Sequence, residues 1–106
     1  MKGSKRRPRP KKLAGKLLAI RGQLGLTQAG MAEKLGKIPS PPDSAMISRY
    51  ERDEREPSLF ALLAYARIAG VAVDMLIDDK LKLSQAAFSF VSSLYSRFNG
   101  KQEERQ

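Results

Sequence analysis

The sequence predicts an all-α fold: a five-helix domain, an additional C-terminal helix and a disordered basic N-terminal arm. Three observations predict it. Apolar residues recur at three- and four-residue spacings from Leu13 onward, as one face of a helix requires. Capping residues precede these runs, and glycine or proline follows them. Strand-like patterning is confined to short runs such as Val71-Ala72-Val73. The expected divisions are 1–12 for the arm, 13–79 for the helical domain, 80–99 for the C-terminal amphipathic helix and 100–106 for a polar tail.

Residues 1–10 hold two prolines and no apolar periodicity, so they are expected to be unstructured. Leu13, Leu17, Ile20 and Leu24 lie on one face of the first helix, and Gly25 stands where its C-terminal stop is needed. Thr27 caps a second helix from Gln28 to Leu35, with Met31, Ala32 and Leu35 inward and Gly36 closing it in a left-handed conformation. Gly30 inside that helix costs up to about 1 kcal/mol relative to alanine. The following Lys37-Ile38-Pro39-Ser40-Pro41-Pro42-Asp43 cannot be helical, because proline lacks the amide donor and clashes with the preceding turn. Asp43 or Ser44 caps a third helix, from Ala45 to about Arg52, that buries Ile47 and Tyr50 and turns Ser48, Arg49 and Arg52 outward or sideways. Ser58 caps a fourth, with a stripe of Leu59, Leu62, Leu63 and Ala66 and an end at Gly70; Val73 to Ile77 forms a short fifth. Ser84 opens a sixth, whose Ala87, Val91, Leu94, Tyr95 and Phe98 share a side. Two readings stand for that last helix: it closes the core, or it offers an interface to a second copy or another protein.

A chain of 106 residues accommodates one modest core with tails. It contains neither cysteine nor histidine, so disulfides and cysteine-based metal sites are excluded. The usual general base near neutral pH and the commonest metal ligand are also missing. No enzyme, metal or cofactor is expected. The net charge of +9 is unevenly placed: Lys2, Lys5, Arg6, Arg7, Arg9, Lys11, Lys12 and Lys16 occur with no acid among the first 16 residues, while the rest holds twelve basic and eleven acidic side chains. An attractor for polyanions is therefore mounted on one end, although a merely solvated tail has the same composition. No apolar run approaches the roughly 18 residues of a membrane span, so a cytoplasmic protein without a membrane partner is expected. The adjacent Asp78 and Asp79 do not converge on a metal and read as a solvated helix end.

Several residues fall together in a recognisable order: Thr27-Gln28 opening the second helix, Ala32, Gly36, Ile47-Ser48-Arg49 with Glu51, Pro57-Ser58 opening the fourth, and Gly70-Val71 before Asp74-Met75-Leu76. In these the chain resembles the helix-turn-helix family of the phage repressor and Cro type, also called XRE-type, over roughly Leu17 to Ile77. Ala32 fits a physical need, since a small side chain lets the two helices of the motif approach closely. The resemblance implies a five-helix repressor-like domain that lays its third helix in the major groove. It further implies a phosphate contact from Gln28, base-facing positions at Ser44, Ala45 and Arg49, and a buried ion pair between Arg21 and Glu51.

The chain departs from the family pattern at the turn. Gly36 to Ile47 spans eleven residues where the family has six, an insertion of five that either touches phosphates through Lys37 and Ser40 or holds the third helix back from the groove. Ile38 is placed to supply the apolar plug expected after the glycine. Asp53, Glu54 and Glu56 follow the third helix where the family approaches phosphate, offset in part by Arg52 and Arg55.

The leading functional reading is sequence-specific binding of double-stranded DNA by a transcriptional regulator, most effective as a homodimer. Its expected contacts are Gln28, Lys37, Ser40, Ser44, Ala45, Ser48, Arg49, Arg52 and Arg55, with Lys5, Arg6, Arg7 and Arg9 of the arm adding counterion release. The alternative is an antitoxin-like module that binds a protein partner through its C-terminal helix. RNA binding is disfavoured, because no stacking aromatics lie among the basic residues.

Overall fold

The computed structural model describes residues 8–83. These form five α-helices: α1 (Leu13–Leu24), α2 (Gln28–Lys34), α3 (Ser44–Glu51), α4 (Leu59–Ala69) and α5 (Asp74–Ile77). No strand occurs among the described residues. The expected sixth helix and residues 1–7 of the arm lie outside them. No described helix is long and apolar enough to cross a membrane.

Local chemistry sets the boundaries. The side chains of Thr27, Asp43 and Ser58 accept hydrogen bonds from the amides of Gly30, Met46 and Ala61 at 2.9, 2.8 and 3.1 Å, each satisfying a first-turn donor that the helix itself leaves open. Asp43 rather than Ser44 is therefore the cap of α3. α1 and α4 end on Gly25 (φ 68°) and Gly70 (φ 73°), the left-handed conformation that glycine adopts without steric cost. In both, the next amide reaches back to a carbonyl of the last turn, Leu26 to Arg21 and Val71 to Ala66. α3 closes in the same way without glycine: Asp53 takes the left-handed position at φ 59°, and Glu54 bonds back to the Arg49 carbonyl at 2.8 Å.

Gly36 departs from expectation. It is not left-handed, since Gly25 and Gly70 are the glycines with positive φ among the described residues. Its amide bonds the Glu33 carbonyl at 3.1 Å, and a Cβ there would meet that same oxygen at 3.1 Å, so close approach rather than handedness favours glycine. α2 accordingly stops at Lys34 and is capped by Leu35. A Cβ on Gly30 would meet the Thr27 hydroxyl at 3.3 Å and Leu26 Cδ2 at 3.5 Å, so this helical glycine leaves room for the cap and its apolar neighbour.

Leu13, Leu17 and Ile20 of α1 pack with Met31 of α2, Leu35 at its C-cap, Ile47 and Tyr50 of α3 and Leu76 of α5 to form one core. α4 contributes Leu62, Tyr65, Ala66 and Ala69. The expected stripe on α4 is thus corrected: Leu59 is 83% exposed, because the buried arc is centred on Leu62, Tyr65 and Ala66 and the first residue of the helix projects past it. Ile38 is half-buried, as expected of a plug behind the turn.

Two contacts between distant residues fasten the start of α1. Asp79 accepts hydrogen bonds from the Lys11 and Lys12 amides at 2.9 and 3.0 Å, which hold its carboxyl below the usual aspartate range. It is a clamp on the chain entering α1, not the solvated helix end expected. Lys16, counted above among the cations of the N-terminal region, is buried; its ammonium donates to the Met75 and Asp78 carbonyls at 2.6 and 3.0 Å. These carbonyls lie at the C-terminal end of α5, where a helix leaves acceptors unsatisfied and favours positive charge. Lys16 is therefore occupied inside the domain and unavailable to an external anion. Lys16→Met should destabilise the domain by about 1–3 kcal/mol in urea denaturation, because it strands two part-buried acceptors. Lys12→Met, whose side chain is exposed, should change stability by less than about 0.5 kcal/mol.

Candidate nucleic-acid interface

α3 separates its residues into two sets. Ile47 and Tyr50 enter the core, and Glu51 turns inward beside them. Ser44, Ala45, Arg49 and Arg52 are exposed and Ser48 is half-buried; their spacings of one, four, five and eight residues from Ser44 put them on the opposite face. The outward set expected from the sequence is thus brought together. Ser44 and Ala45 occupy the first turn, directly after the Asp43 cap. The Arg49 guanidinium makes no hydrogen bond or ion pair with any described residue, whereas Arg52 is held by Glu54 at 3.0 Å and by the Ser48 carbonyl at 3.4 Å.

What angles this face is a network beneath it. Arg21 of α1 donates through Nε and Nη2 to the two carboxylate oxygens of Glu51 at 2.7 and 2.9 Å, a bidentate pair. Its Nη1 donates to the Leu26 carbonyl at 3.0 Å, which ties in the connection between α1 and α2. Gln28 of α2 donates through Nε2 to Glu51 Oε1 at 3.1 Å. One carboxylate on α3 thereby joins three helices. Burial pushes the Glu51 carboxyl up, but the hydrogen bonds from Arg21 and Gln28 and the guanidinium charge outweigh it and leave it below the ordinary range. The hydrogen bond to Glu51 raises Arg21 in turn, against an opposing effect of burial. The ion pair was expected; the bond from Gln28 was not, and nothing in spacing alone reports it. Gln28 is half-buried with one amide hydrogen engaged inward.

The remaining expected residues are more dispersed. Lys37 and Ser40 are exposed in the inserted turn, where Ser40 holds a positive φ of 49°. Arg55 is exposed after α3. Arg9, placed in the arm by composition, lies across the turn that closes α3, donating to the Asp53 carbonyl at 3.1 Å with its carboxylate 3.8 Å away. The acids after α3 are therefore largely engaged: Asp53 by Arg9 and Glu54 by Arg52. Lys5, Arg6 and Arg7 lie outside the described residues. Among the described residues no group of side chains is arranged to hold a metal ion.

Because Glu51 is held below its ordinary range, its contribution to stability is present above the unfolded-state value of about 4.3 and is lost as pH falls through the folded-state value. Glu51→Gln should cost about 3 kcal/mol near neutrality by leaving the guanidinium unpaired, and thermal melts of the variant should show a shallower acid dependence than the native protein below about pH 4.

A helix-turn-helix family model matches residues 17–76, from the middle of α1 through α5. No curated protein sequence matches significantly. Among solved structures, the chain is similar to the P22 c2 repressor protein, determined in complex with synthetic operator 9T in the presence of Tl+. The identity is 27% and the TM-score 0.54, over 63% of this chain and 94% of that one. With the order of helices, the small residue in the motif and the α1–α3 ion pair all in place, the chain belongs to the helix-turn-helix family of the phage repressor type.

Proposed function

We propose that this protein is a transcriptional regulator that binds double-stranded DNA sequence-specifically, with α3 in the major groove. The observation that carries the proposal is the outward face of α3. It presents two short residues at the leading turn and one unengaged guanidinium behind them, on a helix whose angle is set by the Glu51 network. A bare guanidinium bonds both acceptors of a guanine edge, whereas Ser44 and Ala45 suit a single hydroxyl bond and a thymine methyl. The related repressor was solved with an operator, which supports the same kind of ligand here.

In this proposal residues 13–79 form the DNA-binding domain, and the outer amide hydrogen of Gln28, with Lys37, Ser40, Ser48, Arg52 and Arg55, supplies contacts that position without reading. Lys5, Arg6 and Arg7 add affinity by releasing counterions. Arg9 itself rests on the closing turn of α3. α3 has eight residues and covers a few base pairs, so useful specificity calls for a homodimer on two half-sites about one helical turn apart. The proposed dimer surface is the apolar side of residues 80–99.

Arg49→Ala should cost about 1–3 kcal/mol on the preferred site and relax the preference at one guanine per half-site. Binding to a panel of single-base operator changes checks this, and uniform weakening across the panel would mark Arg49 as a phosphate contact. Deletion of residues 1–7 removes four cations and leaves the Asp53 and Asp79 contacts intact. It should flatten the slope of log affinity against log salt by about two to four units, at roughly 0.9 per phosphate contact. An unchanged slope in a salt titration would show that the arm does not touch DNA.

A further inference from the structure

α4 is apolar nearly all round, although only one of its faces reaches the core. Ala61, Leu62, Tyr65, Ala66 and Ala69 are buried, while Phe60, Leu63, Ala64, Arg67 and Ile68 follow the helical spacing of a second face. That second face forms one wall of a groove of about 380 Å³. The opposite wall comes from the end of α2 and the inserted turn: Lys34, Lys37, Ile38 and Pro39. Phe60 is 55% exposed at its edge. The long turn between α2 and α3 thus supplies an apolar wall where α4 has apolar surface to spare.

The charge of the groove selects an occupant. Lys34, Lys37 and Arg67 line it, no acid does, and none of the three cations has an ion pair or hydrogen bond from its side chain among the described residues. None of the α3 residues proposed to read DNA lines it, and of the proposed phosphate contacts it shares Lys37, whereas Lys34 and Arg67 belong to the groove and not to that set. The geometry points to a docking site for an acidic amphipathic segment of a partner protein, whose apolar side chains enter between Ile38 and the Phe60–Leu63–Ile68 face while its carboxylates meet the three cations. A sugar-phosphate backbone would satisfy the cations but offers nothing to cover the apolar walls. A helix presenting residues at spacings of three and four satisfies both.

The test uses the full chain, isotopically labelled for NMR, and a synthetic helical peptide of about 14 residues with leucines at three- and four-residue spacings and glutamates between them. Saturable shifts of the backbone amides of residues 34–38 and 60–68 are expected. Lys34→Glu combined with Arg67→Glu should weaken the peptide by roughly tenfold or more with an unchanged melting temperature. Independently of any change in the protein, replacing the peptide's leucines by serine, or its glutamates by lysine, should abolish the shifts. Shifts confined to other helices, or affinity indifferent to the charge reversals, would overturn the proposal. So would displacement of the peptide by a nonspecific DNA duplex with duplex-induced shifts in the groove, which would assign the groove to the nucleic-acid surface. Binding only after removal of residues 84–106 would overturn it as well, by showing that the chain covers its own groove.

Discussion

The Glu51 carboxylate is the constraint on which the arrangement of this domain depends. Hydrophobic packing alone fixes that α1, α2 and α3 touch, but it is non-directional and leaves the angle of a short helix loosely specified. A bidentate guanidinium–carboxylate pair is different in kind, because both oxygens must meet a planar fork at once. Here one oxygen also receives the Gln28 amide, so α3 is registered against two helices by a single side chain. The energy gained is modest once desolvation is subtracted; the penalty for losing one partner is large, and that asymmetry makes the geometry stiff.

One buried polar atom beside this network lacks a partner among the described residues. Tyr65 is wholly buried next to the ion pair, and its hydroxyl has no hydrogen-bond partner among the described residues. Burial, with the nearby Glu51 charge, pushes the phenol well above its ordinary range. A phenylalanine would avoid the orphaned donor. The described structure offers no physical account of the hydroxyl.

The same economy governs the N-terminal region. Eight cations crowd the first 16 residues, but the fold assigns them different tasks. Lys16 satisfies the carbonyls at the end of α5, Lys11 and Lys12 have their amides held by Asp79, and Arg9 rests on the turn after α3. Charge counted along the sequence therefore overstates what an external polyanion can reach, by the Lys16 ammonium and in part by the Arg9 guanidinium, while the Lys11 and Lys12 side chains stay exposed. Conversely, two of the acids after α3 that the sequence marks as an obstacle to phosphate, Asp53 and Glu54, are engaged by Arg9 and Arg52. The electrostatic face of α3 is less hostile to an anion than its neighbours in the chain suggest.

The sequence by itself determined what depends on near neighbours along the chain. Thr27 and Ser58 as caps, Gly25 and Gly70 as left-handed stops, the prolines that interrupt α2 from α3, and the inward placement of Ile47 and Tyr50 were all legible, because a cap, a turn or a helix face is decided within a few residues. So was the family, and through it the Arg21–Glu51 pair. Only the tertiary structure decided which arc of α4 is buried, leaving Leu59 outside and pairing its spare face with the inserted turn. It alone decided that Lys16 is buried, that Asp79 clamps α1, and that Gln28 turns toward Glu51. Each of these joins residues more than twenty positions apart or depends on how helices pack together, and neither periodicity nor capping rules carry that distance. The oxygen or nitrogen that a polar side chain finds there is set by packing.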